Sequence, residues 1–385
     1  TNELKENNSQ SSNSEEFENN YYKLKIDPDK GTITSLFDKE LEKELIDGDS
    51  GYKLGEFIYE QLENRHSMER LTNSNKDTVY IPLKKQITTL SNIEVSKIED
   101  GDIWKSIKIH GRMPICADNR GVNIEIRLYN KDKRIELLYD MHKLQVTDPE
   151  AVYVAFPFKM KGKNQLAFEA QGGTVYPGVN QLEGTSSDWN WIQNFSAVKN
   201  DNGQIVFCSN DVPLVQFGDI NTGRFYYKHI PEQPHIYSWV LNNYWTTNFK
   251  ASQEGEMKWH YYITSSSDNS NTFATRFGWG SRIPLLTRVM PAGKSEMKSI
   301  SKSVVDIDVP NLLLVNARLS LDGKGIILHL RETEGDHAIL DVNKLKQETG
   351  AVTISEVSIL EEELKELNQP LLFEHYETKL IKLVK

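Results

Sequence analysis

One pattern runs through most of this chain and limits what it can fold into. Short runs alternate apolar or aromatic residues with polar ones, and turn residues break them. GEFIYEQ (55–61), IWKSIKIHG (103–111), NIEIRLYN (123–130), RIELLYD (134–140) and AVYVAFPF (151–158) are of this kind, as are QIVFCSN (204–210), RFYYKH (224–229) and MKWHYYIT (257–264). They recur every 10–15 residues or so, roughly the spacing of short strands joined by turns, with few helical patterns between them. That layout predicts a large antiparallel all-β domain. YYKLKIDPDKGTITSLFD (21–38) opens it as a hairpin, with Asp-Pro-Asp-Lys-Gly at the turn. SNTFATRF (270–277) is the exception, with helical spacing suited to capping a sheet edge.

At 385 residues the chain exceeds what one core usually covers, so a large domain with a smaller partner is expected. Residues 1–18 are polar, charged and without apolar periodicity, which predicts a linker or tail. The large β domain is expected over residues 19–290. A composition break at 284–302, rich in Ser and Lys with Pro291 and Gly293, separates it from a small sandwich at 303–385. There NLLLVNARLS, GIILHLRE, HAILDV, AVTISEV and ETKLIKLV read as strands, and EEELKEL (361–367) as one or two helical turns.

The charge balance, 55 acidic against 45 basic side chains, argues against a nucleic acid or an anionic membrane as partner. No run approaches the roughly 20 apolar residues of a membrane span. No signal peptide is visible and the chain opens on Thr1, as a fragment or a processed product would, so the compartment stays open. Cys116 and Cys208 lie far apart in strand-like surroundings and are expected as buried free thiols. Walker, GxGxxG, GxSxG and HExxH motifs are missing. The nine histidines stand singly, without the spacing of a zinc pair, so no metal ligand is expected here.

What remains is aromatic and amide chemistry in loop-like settings. DWNWIQNF carries Asp188, Trp189 and Trp191; WVLNNYWTTNF carries Asn242, Asn243, Trp245 and Asn248. Sugars stack their C–H faces on aromatic rings and match their hydroxyls to paired donors and acceptors, which Trp beside Asn and Asp supplies. The competing reading is that the Trp residues are core and the Asn residues satisfy their own turns.

The same two segments resemble a known family. NQLEGTSSDWNWIQNF, followed by DVPLVQFGDINTGRF, is similar to the β-domain of family 38 α-mannosidases, where a QLPGS-(S/T)-DW-like stretch recurs. HIYSWVLNNYWTTNFKASQEGEMKWHYYIT resembles that family's NN-aromatic-x-TN-aromatic stretch. The hairpin NNYYKLKIDPDKGTITSLFDKEL, AVYVAFPF, GKGIILHLRETEG and HYETKLIKLVK match further segments in the expected order, from Asn19 to Lys385. The resemblance implies an all-β fold: a large antiparallel supersandwich of the galactose mutarotase-like and β-galactosidase-like kind, then a smaller immunoglobulin-like β-sandwich. It also implies an N-terminal zinc-dependent catalytic domain as partner, and a mannose-containing glycan as ligand. Hydrolysis there retains configuration through a covalent intermediate on an Asp that touches zinc. The family's nucleophile and zinc ligands belong to that N-terminal domain and have no counterpart in this sequence. No catalytic residue is therefore expected, zinc is expected only in the catalytic domain, and the chain alone is expected to be inactive.

Two other classes remain open. A free-standing carbohydrate-binding or mutarotase-like protein would need a His and a Glu converging on one concave sheet face. A purely structural β protein would have no sugar affinity.

Overall fold

The computed structural model describes residues 15–64, 78–80, 83–117, 120–182, 184–185, 187–222, 224–226, 228–244, 250–283, 285–289, 303 and 305–385. The chain divides into two compact units: residues 1–168 with 175–269, and residues 169–174 with 270–385. No described helix is long and apolar enough to cross a membrane.

The first unit is the all-β supersandwich. Its ten-stranded sheet has a spine of Gly203–Ser209, Gly255–Ser266, Ile135–Lys143, Val122–Tyr129 and Trp104–Arg112, each antiparallel to the next. A six-stranded sheet runs Asn190–Trp191, Leu214–Phe217, Ile236–Asn242, Glu150–Phe156, Phe57–Leu62 and Lys85–Thr89. Alternation turns Val152, Val154 and Phe156 to one face and Ala151, Tyr153 and Ala155 to the other; all six are buried, so both faces of this strand are covered. Across the inner face, the Phe156 ring lies 4.6 Å from Phe207 and 4.8 Å from Tyr261. Tyr261 Oη pairs with Ser238 Oγ at 2.8 Å, tying the two sheets together with a buried hydrogen bond.

The N-terminal hairpin forms as its turn chemistry requires, with strands Tyr22–Asp27 and Thr32–Asp38. Gly31 takes a φ of +61°, and a Cβ there would lie 2.8 Å from Ile109 Cγ2. The expected tail does not extend to residue 18. Glu15–Glu18 pairs with Lys23–Ile26, buries Phe17, and joins Glu16 to Lys23 and Lys25. One apolar side chain and two ion pairs are enough to add an edge strand that polarity alone argued against.

The second unit is a smaller sandwich. Its five-stranded sheet runs Leu312–Leu319, Gly325–Glu332, Thr378–Val384, Thr353–Val357 and Glu363–Glu366, beside a two-stranded ladder of Ala338–Leu340 and Leu371–Phe373. Leu328, Leu330, Leu340, Ile354, Phe373 and Ile381 fill its core. EEELKEL is not helical. Glu363–Glu366 is an exposed edge strand against Ser355–Val357, where a run of charges protects an open edge from further pairing.

The expected helix is present as Asn271–Arg282, capped by Ser270 through Phe273 N. It groups with the second unit, because Thr272 N donates to Glu334 Oε2 and Arg276 donates to the Pro310 and Leu312 carbonyls. The division therefore falls after Asn269, ahead of the composition break, most of which lies outside the described residues. Cys116 and Cys208 are buried free thiols, and burial pushes the Cys116 thiol up to about 11.

Candidate functional site

The outer face of the six-stranded sheet carries an aromatic cluster, and the two sugar-suited segments meet on it. A bulge sets the geometry: Val152 faces Leu241 while Tyr153 faces Trp239, leaving Val240 as the extra residue. Tyr153 and Trp239 then stack, with ring centres 5.9 Å apart and planes 9° from parallel. Trp189, from the first segment, meets the edge of Trp239 at 6.5 Å, and Tyr244, from the second, packs on it at 6.3 Å. Such ring pairs add about 0.5–1.5 kcal/mol each beyond the area they bury.

Beneath the rings sits Glu60, fully buried in Phe57–Leu62. Tyr244 Oη donates to its Oε1 at 2.7 Å, and the Lys85 ammonium pairs with its Oε2 at 2.7 Å. Burial first, then the Glu60 charge, raises the Tyr153 phenol well above its ordinary range. Burial, with Tyr153 and Glu60 adding to it, does the same to Tyr244. Both phenols therefore stay neutral, Tyr244 donating to Glu60 and Tyr153 Oη pairing with Thr222 Oγ1 at 2.7 Å. Among the described residues, Trp239 Nε1 and Asn242 Oδ1 are buried on this face without a hydrogen-bond partner. Orphaned buried groups are uncommon in folded proteins, and here one donor and one acceptor occur three positions apart on the strand Ile236–Asn242.

The other expected residues take up different positions. Asp188 is buried, and its carbonyl accepts from Asn221 Nδ2 at 3.0 Å. Trp191 is 45% exposed at the sheet edge, on the strand Asn190–Trp191. Asn243 closes the loop itself: its Oδ1 accepts from Glu150 N at 2.7 Å, and its Nδ2 donates to the Asp148 and Ala251 carbonyls at 2.9 Å. Trp245 and Asn248 lie outside the described residues. Glu60, Lys85 and Tyr153 were not anticipated. A charged residue inside the otherwise apolar run FIYEQL is the signal that could have found Glu60.

The loops linked to the strand Asn190–Trp191 carry exposed apolar side chains. Gln181 Nε2 donates to Asn190 Oδ1 at 2.8 Å, and His229 N donates to Ser187 Oγ at 2.8 Å, holding three loops together. Val179, Leu182 and Ile230 on these loops are 68%, 79% and 61% exposed.

The ten-stranded sheet bears a second concavity, a groove of about 700 Å³ whose walls include His110, Asn123, Glu125, Arg127 and His260. His110 Nδ1 lies 2.9 Å from Asn123 Oδ1, and His260 Nδ1 lies 3.1 Å from Asp211. Burial raises the Glu125 carboxyl, but Arg127 at 2.8 Å outweighs it and leaves the group below its ordinary range. A carboxylate held down in this way makes a weak base.

Comparison with known proteins places this fold. A search of curated proteins finds no match. Among solved structures, an α-mannosidase from Enterococcus faecalis V583 is similar, at 14% identity and a TM-score of 0.67, over 96% of this chain and 42% of that one. A glycosyl hydrolase family 38 protein from Enterococcus faecalis matches at 15% identity and a TM-score of 0.63, over 96% of this chain and 44% of that one. The chain thus spans less than half the length of either. The model of the glycosyl hydrolases family 38 C-terminal domain matches residues 17–211, half of the chain, so the protein belongs to that family.

Proposed function

We propose that this chain is the C-terminal β portion of an α-mannoside-cleaving glycoside hydrolase, and that the outer face of its six-stranded sheet supports and lines the sugar site of an N-terminal catalytic domain. The observation that carries this reading is the meeting of Trp189, Trp239 and Tyr244 on one face, with Trp191 exposed at the edge of the same sheet. Aromatic walls with a few placed polar groups suit a saccharide, and the exposed apolar side chains of the linked loops suit a docked protein surface.

Zinc belongs to the catalytic portion in this reading. The sheet face offers indoles, phenols and amides, a donor set that does not suit zinc. The chain's own part is to position: the bulge, the Glu60–Tyr244 hydrogen bond and the Asn243 loop closure fix the aromatic walls before sugar arrives.

The test is Trp191→Ala in the complete enzyme, assayed on a chromogenic α-mannoside. The side chain is exposed, so folding should be unaffected. A KM raised about tenfold with kcat held would fit lost ground-state contact, and unchanged KM and kcat would remove Trp191 from the site. A free-standing saccharide binder would instead use the groove at His110 and His260, and saturable monosaccharide binding by this chain alone, abolished by His260→Ala, would favour it.

A further inference from the structure

Among the described residues, one group of three metal-ligating side chains converges: Asp336, His337 and His375, whose ligand atoms lie within 4.8 Å of one another. We infer that this cluster, in the small C-terminal sandwich, is a binding site for a zinc-like divalent transition ion.

The site is assembled by a buried carboxylate. Asp336 and His337 follow strand Gly325–Glu332, while His375 stands 38 positions later, ahead of Thr378–Val384. Glu332, fully buried, bridges the two turns. Its Oε1 accepts from Glu334 N at 2.6 Å and Asn311 Nδ2 at 3.0 Å; its Oε2 accepts from Gly335 N at 2.9 Å and Tyr376 N at 2.8 Å. The backbone just before Asp336 and just after His375 is thus pinned from below. Tyr376 closes over Gly335 so tightly that a Cβ at position 335 would lie 2.5 Å from its Oη. The turns are held in one arrangement while the ligand side chains stay exposed above them.

The ligand geometry fits an ion with open coordination positions. The His337 and His375 rings stand edge to face, centres 4.7 Å apart. His337 Nδ1 lies 3.0 Å from Glu374 Oε2, the outer carboxylate contact that orients a metal-bound imidazole and leaves Nε2 for the ion. Asp336 Oδ1 accepts from His337 N at 2.7 Å, and Oδ2 remains for the ion. Ligands about 2.0–2.1 Å from one zinc stand roughly 3–3.5 Å from each other. Closing in from 4.8 Å needs only small rotations of exposed side chains. Two imidazoles and one carboxylate favour zinc, nickel or copper over calcium or magnesium, which take oxygen ligands. Glu374 and Asp336 add negative charge, while the nearby Lys379 ammonium is engaged by Glu377 and Glu356.

This inference is independent of the sugar reading and concerns no catalytic zinc. The test titrates Zn²⁺ into the full, chelator-treated chain by calorimetry, with Co²⁺ visible absorption as a second readout. One ion per chain is expected at this site, with Kd raised at least tenfold in His375→Ala and in His337→Ala and unchanged in His142→Ala. The d–d bands of Co²⁺ should be lost in the first two variants and kept in the third. Absence of Zn²⁺ binding by the unaltered chain, or binding that both cluster variants leave intact, would overturn the assignment.

Discussion

Replacing Lys143 by Met tests how the site-bearing loop is anchored. The Lys143 ammonium is fully buried, 2.5 Å from the Glu150 carboxylate, which is 1% exposed. Tyr59 Oη donates to the other Glu150 oxygen at 2.8 Å, and Glu150 N donates to Asn243 Oδ1. The pair therefore sits directly under the turn that follows Trp239. Methionine fills similar volume but leaves an uncompensated carboxylate in the interior, a change that costs about 3–5 kcal/mol. At about 2–4 °C per kcal/mol for a unit of this size, the melting temperature should drop by roughly 6–20 °C. Lys143→Met/Glu150→Leu removes both charges and should recover at least half of that loss, a non-additivity that the double-mutant cycle reads directly. Urea unfolding followed by tryptophan fluorescence is the assay, since six of the seven tryptophans fall in the first unit. A Lys143→Met cost below about 1 kcal/mol, or a double variant no more stable than the single one, would refute the reasoning.

Other perturbations give separate outcomes. Tyr244→Phe strips Glu60 of its phenol partner and should cost about 1.5–3 kcal/mol in the same unfolding assay, a hydrogen bond to a charged group being worth that much. His235 is held below its usual value chiefly by burial, which outweighs the Asp47 carboxylate 3.1 Å away. A depressed folded-state value adds stability above the unfolded histidine range and loses it as pH falls. Stability should therefore decline on acidification below about 6.5, and His235→Gln should flatten that slope in unfolding curves between neutrality and pH 5. In the small sandwich, Arg331→Met removes the cation that pairs with the buried Glu169 carboxylate at 2.8 Å, and a loss of up to about 3–5 kcal/mol should appear as earlier melting.

Much of the architecture could be read from the sequence because a two-residue apolar period is a direct image of a half-buried strand. The runs at 123–130, 134–140, 204–210 and 257–264 became four strands of one sheet. Where local pattern and tertiary context compete, the reading failed. Glu363–Glu366 has the composition of a helix, yet the exposed edge of Thr353–Val357 offered it a ladder. The helix Val342–Thr349 was missed although its Asp341 N-cap and left-handed Gly350 C-cap are both written in the sequence; at eight residues it gives little periodicity to notice.

The candidate site was only partly legible. Trp189 and Asn242 could be named from their chemistry, but the stack beneath them depends on a bulge and on Tyr153 from a strand 36 positions earlier than Trp189. Asn243 shows the opposite case, where an amide suited to sugar is occupied by the loop's own backbone. The Asp336–His337–His375 group was invisible along the chain, because its histidines are brought together by the Glu332 carboxylate rather than by spacing.

The proposed role of this chain, the accessory β half of an α-mannosidase, is put to the test by hydrolysis of a chromogenic α-mannoside. The purified chain is assayed with and without added zinc, beside the product of the complete open reading frame. The account predicts no turnover by the chain under either condition and zinc-dependent turnover by the complete product. Zinc-dependent turnover by the chain alone, or an inactive complete product, would contradict it.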